Sequence, residues 1–157
     1  MDTYGYISAI ALFFYTFMML IFLVARRSRI INAFLLTLIS LFLWTGGSLL
    51  MRAHFWPTYQ LWYHLSLLGV LLLPYSYFRL VNAFADISSP LMEKFYMLLQ
   101  FILWGINFFT GLLLPCPELV QGPKGYIFTY RMTPGVAVLF VGAGLVLVHA
   151  YRNIIVS

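Results

Sequence analysis

The sequence predicts an all-α membrane protein: five transmembrane helices, the N-terminus outside, the C-terminus cytoplasmic, and a short outer loop like a β-hairpin. Three observations lead there. Of 157 residues, 63% are hydrophobic and 8% charged, which is more apolar surface than a soluble domain of this length can hide. Apolar windows of about 20 residues, the length that crosses hydrocarbon, recur along the chain. The cations gather where those windows end, with an excess on alternate connections.

The first window, Tyr6 to Ala25, lies in "MDTYGYISAIALFFYTFMMLIFLVARRSR". An acid precedes it and a basic cluster follows, the reverse of a secretory signal, so a retained first helix with its N-terminus outside is expected. The others run from Asn32 to Met51, Tyr59 to Asn82, Phe95 to Leu114 and Pro134 to Ala150. Together they form one integral membrane domain over residues 1–157, with no soluble domain, repeat or low-complexity tract. One side collects Arg26, Arg27, Arg29, Arg79, Lys94 and Arg152; the other has Arg52, Lys124 and Arg131. The richer side is the cytoplasmic one. A net charge of +5 scattered this way does not suit nucleic acid. The expected partners are the lipid bilayer and other membrane helices, in a homodimer or a larger complex.

The one long connection, residues 115–133, reads "PCPELVQGPKGYIFTYRMT". Turn formers at its centre separate two short β-prone runs, so it predicts a hairpin on the outer side. Alternation places Tyr126, Phe128 and Tyr130 on one face. The plainer reading is a passive connector with interfacial aromatics.

The acids Asp2, Asp86, Glu93 and Glu118 all fall in loops or at helix ends, and no helix centre carries a charge. Intramembrane catalysis or ion movement normally needs such groups at depth. His54 and His64 belong to the outer end and His149 to the inner, which does not suit a pair bridging one haem; His54 and His64 could share a metal at the outer surface, but no carboxylate or cysteine lies nearby in sequence. With Cys116 the single cysteine, no catalytic residue, metal site or cofactor is predicted.

At depth the polar groups are neutral: Ser40, Thr45, Ser48, Ser66, Ser76, Asn107 and Thr110. Each can tie helices together for roughly 0.6 to 2 kcal/mol. Asn107 stands out, because its amide must satisfy two donors and an acceptor in hydrocarbon. Ser66, Gly69 and Ser76 share a face of the third helix, and Gly135 and Gly142 share a stripe of the fifth, both suited to close helix packing. Pro74 lacks the N–H that would bond the Val70 carbonyl, which makes it a candidate hinge.

The stretch "AFLLTLISLFLWTGGSLLMRAHFWPTYQLWYHLSLLGVLLLPYSYFRLVNAF" resembles the central part of the N-terminal seven-helix sensor region of bacterial histidine kinases and diguanylate cyclases. The shared features are Leu43, Trp44 and Gly46; Leu61, Trp62 and Tyr63; Leu68, Gly69 and Pro74; then Phe78 or Phe84. The later aromatic loop before a glycine-containing helix is also similar. The resemblance covers most of Ile30 to Asn153. It implies a multi-pass protein of the bacterial inner membrane whose outer side takes an apolar or amphipathic signal near Trp44, Trp62, Tyr63, Asn107 and the loop aromatics, and relays it by helix rearrangement at Pro74. The family carries two further helices and then a kinase or cyclase domain, whose motifs are absent here. A stand-alone input module, a piece of a longer chain and an unrelated five-helix protein all stay open. So does a small accessory subunit of a larger membrane complex. A membrane enzyme or transporter would need a partner chain to supply its chemistry.

Overall fold

A computed structural model describes residues 3–122 and 125–156. It is mostly helical, with five helices and a two-stranded sheet: α1 (Thr3–Val24), α2 (Arg29–Arg52), α3 (Tyr59–Phe84), α4 (Pro90–Thr110), β1 (Glu118–Gly122), β2 (Gly125–Thr129) and α5 (Gly135–Val156). Of these, α1, α2, α3 and α5 are long and apolar enough to cross a membrane.

The helix ends follow local chemistry. Ser28 caps α2 by accepting from the Ile31 amide at 3.1 Å, and Thr58 caps α3 through the Leu61 amide at 3.4 Å; such caps are worth about 1 kcal/mol each. Pro90 opens α4 in its first turn, where a missing N–H costs nothing. Gly111 closes it in the left-handed region at φ 61°. The fourth helix is therefore Pro90–Thr110 rather than Phe95 to Leu114. A hydropathy window slides toward apolar residues and overlooks the Pro and Gly that set the ends.

α4 also differs in composition. Glu93, Lys94, Gln100 and Asn107 keep it outside the group apolar enough to span by hydropathy. Two of these polar side chains are turned inward: Gln100 and Asn107 are buried, while Lys94 is exposed, as are Leu91, Phe95, Leu98, Ile102 and Phe109. A helix with this reversed amphipathicity belongs against lipid on its apolar side and protein on its polar side. It lies antiparallel to α3 from Glu93 to Trp104. Glu93 reaches Arg79 at 3.8 Å near one end, and Trp104 donates to the His64 carbonyl at 2.9 Å near the other.

The tightest pairing is α2 on α3. A Cβ at Gly69 would lie 2.4 Å from the Trp44 nitrogen, and one at Gly47 would lie 2.7 Å from the Ser66 nitrogen. Only glycine lets these backbones touch. Ser66 fills the gap between them, donating to the Trp44 carbonyl at 2.9 Å. α1 packs on α2, while α3 also meets α4 and α5. Two apolar clusters result, one at each end of the bundle: Met51, Tyr63, Leu67 and Leu71 at the hairpin end, and Phe78, Val81, Val146 and Ala150 at the other.

Candidate functional site

The hairpin end brings together several of the residues singled out in the sequence. Tyr63 on α3 and Asn107 on α4 both donate to the Leu114 carbonyl, at 2.7 and 2.9 Å. Asn107 Oδ1 accepts from the amides of Leu113 and Leu114, at 3.1 and 2.7 Å. The amide thus spends its hydrogen bonds on the chain reversal that follows α4, which explains how it is tolerated at 0% exposure. Thr133 adds bonds from its hydroxyl to the Leu112 and Leu113 carbonyls. Gly135 seats against the same turn, since a Cβ there would lie 2.6 Å from the Leu112 oxygen.

Above this turn, β1 and β2 pair antiparallel with Leu119 opposite Phe128 and Val120 opposite Ile127. The strand alternation turns Phe128 onto the bundle, where its ring stacks on His54 at 5.5 Å and meets Tyr59 at 5.8 Å. Ile127 and Val120 face outward. The Tyr126 side chain lies outside the described residues. Tyr130 follows β2 and is half-exposed; burial pushes its hydroxyl above the usual phenol range, with the Arg52 guanidinium opposing. Burial likewise raises the Cys116 thiol beneath the hairpin. A protonated thiol is a poor nucleophile at neutral pH.

Of the two tryptophans, Trp62 packs against the same apolar cluster as Tyr63 and Trp44 does not. Trp62 donates to the Phe55 carbonyl at 3.0 Å, bracing the α2–α3 turn. Trp44 is 43% exposed on the outer face of α2 and is not grouped with Tyr63 or Asn107. On α3, Ser76 donates to the Leu73 carbonyl of its own helix at 2.9 Å. On α5, a Cβ at Gly142 would sit 4.0 Å from Leu103, an ordinary contact.

α3 remains helical through Pro74. Beside that proline, α3, α4 and α5 line a partly open cavity of about 160 Å³. Gln100 lines it, a residue the sequence reading passed over although it stands on the same face as Asn107, two turns earlier. The opposite end carries two more polar amides that were passed over. Asn82 donates to the Ser89 hydroxyl at 2.8 Å and accepts from Asn153 at 2.9 Å. There too, Glu93 bridges Arg29 and Arg79 at 3.3 and 3.8 Å, and the Tyr96 hydroxyl meets His149 Nδ1 at 2.7 Å.

No family model, curated protein or solved structure matches this chain. Among the described residues, no three metal-binding side chains cluster, and the ionised groups keep to the two ends. The polar machinery is a set of struts: Tyr63, Asn107 and Thr133 around one turn, Asn82 and Asn153 at the far end, and α3 between them.

Proposed function

We propose that the chain is a membrane-embedded input module, oriented with the hairpin outside, in which α3 couples the outer turn to the inner end of α5. The observation that carries this reading is the placement of α3. Its outer end holds the Leu114 turn through Tyr63, its inner end holds α5 through Asn82 and Asn153, and Pro74 lies within the helix between them. A signal at the outer turn could act on the far end only by favouring one arrangement of this connector over another. The resemblance to the sensor region of bacterial histidine kinases and diguanylate cyclases, which rests on Trp44, Gly69, Pro74 and their spacing, supports a signalling role in the bacterial inner membrane. Five crossings are supported by α4 lying against α3 from Arg79 to His64 with Gln100 and Asn107 buried.

The coupling can be tested without knowing the signal. A trifluoromethyl tag is placed on Cys at Ile155, an exposed position near the end of α5, in a Cys116→Ser background. Removing the outer strut with Tyr63→Phe should shift or split the tag's ¹⁹F resonance in nanodiscs. A resonance that stays unchanged while the outer turn loosens would show that the ends move independently, and the reading would fail.

A small accessory subunit is the second reading. It is favoured by α1, whose membrane-length window has none of its residues buried. Stoichiometric recovery with larger membrane subunits in mild detergent, lost when the α1 face is made polar, would favour it over the first.

A further inference from the structure

We infer that the cavity beside Pro74 is a binding site for a small apolar molecule that carries a hydrogen-bond-accepting oxygen. Its walls are Leu71 and Pro74 of α3, Leu139, Phe140 and Ala143 of α5, and Gln100 of α4. At about 160 Å³ it is close to the size, about 150 Å³, at which a dry apolar pocket takes up a benzene ring.

Gln100 gives the cavity its chemistry. The side chain is 2% exposed, and its Nε2 meets no hydrogen-bond partner among the described residues. The other two deep amides behave differently: Asn107 and Asn82 are each tied to neighbouring groups. An amide N–H₂ left unpaired in an apolar surround is costly, and no described residue accepts this one. Gln100 lines this space; a rotation of its side chain would turn the amide N–H₂ into it, where an occupant's carbonyl or ether oxygen would accept the bond and its apolar part fill the volume. This is the usual build of a small-molecule site, apolar walls with one orienting polar group.

Depth narrows the class. Gln100 stands midway between Pro90 and Thr110, about 15 Å of helical rise from either end. The ester groups of surrounding lipids lie at the bilayer interface and do not reach that level. The oxygen must arrive on a molecule that dissolves in the hydrocarbon core, such as an aryl or alkyl ketone or a quinone-like ring. Its route is lateral, because the rim residues Val70 and Phe140 are 37% and 75% exposed on the outer surface of the bundle. The site does not depend on the signalling role; binding would stand even if α3 relayed nothing.

The test uses the whole chain in nanodiscs and two ¹⁹F-observed probes of equal shape: 4-fluoroacetophenone, which has the oxygen, and 4-fluoro-α-methylstyrene, which has CH₂ in its place. The ketone should bind saturably, be displaced by unlabelled acetophenone, and exceed the styrene by about tenfold, the worth of one hydrogen bond. Gln100→Leu should erase that preference while keeping styrene binding, and Ala143→Phe should remove saturable binding of both. Thermal unfolding of each variant establishes that it is folded, and Ala143→Met replaces Ala143→Phe if the larger ring prevents folding. Partitioning no greater than in protein-free nanodiscs would overturn the site, as would binding indifferent to both substitutions.

Discussion

Asn107 shows what a single amide does when water is absent. Its oxygen serves two backbone amides and its nitrogen one carbonyl, all within the turn from Leu113 to Leu114. Asn107→Leu removes all three partners, and two orphaned amides should cost about 2–5 kcal/mol. Tyr63→Phe removes one bond whose acceptor keeps Asn107, so about 1 kcal/mol is expected. Unfolding in mixed detergent and SDS measures both; equal losses would show that the turn is held by something else. Cys116 carries a pH prediction. Burial raises its thiol above the ordinary value of 9.0, so its alkylation rate should climb with pH through a midpoint above that of a free thiol. In SDS the midpoint should return to the free value. The same residue scale explains what the sequence concealed. Asn107 was legible because an asparagine deep in an apolar run is costly wherever it points. Gln100 was not, because a glutamine two turns inside a helix that begins with Glu and Lys reads equally well as part of its solvated face.

Elements were legible to the extent that hydropathy alone defines them. α1, α2, α3 and α5 follow from long apolar runs, and the hairpin follows from turn formers between β-prone residues. α4 was displaced because an apolar window cannot see the Pro90 start or the Gly111 cap, though both were present to be read. The α2–α3 contact illustrates a further limit. Gly69 and Ser66 were recognised as small, but the partner they approach is a tertiary fact. A Cβ at Gly69 would stand 2.4 Å from one backbone atom and 2.6 Å from another. Backbone cannot move aside as a side chain can, so Gly69→Ala should destabilise by about 3 kcal/mol or more. At Gly144 of α5 nothing lies within 4 Å of a Cβ, and Gly144→Ala should leave stability unchanged or raise it by up to about 1 kcal/mol through helix propensity. Thermal melting of the two variants in one detergent checks the contrast. A matching drop in both would mean that the glycines matter for helix flexibility instead of for contact.

At the scale of the whole molecule the undecided quantity is the number of crossings, and α4 decides it. By hydropathy α4 is no span, which would leave four crossings and return the hairpin to the same side as the α1–α2 connection. By geometry it pairs with α3 from Glu93–Arg79 to Trp104–His64, which favours the proposal that it crosses beside α3. Its 21 residues extend about 30 Å at 1.5 Å each, enough for the hydrocarbon core. Burial of Gln100 and Asn107 against protein removes the penalty that a hydropathy average charges them. Five crossings place the hairpin and the N-terminus on one side and the C-terminus on the other. Alkaline phosphatase inserted in the β1–β2 turn should then be active on expression in a bacterial host, and green fluorescent protein fused after Ser157 should fluoresce. Four crossings with the same N-terminus predict the opposite in both: a silent phosphatase at the hairpin and a dark fusion at the C-terminus. The two reporters must reverse together for the hydropathy count to win over the packing.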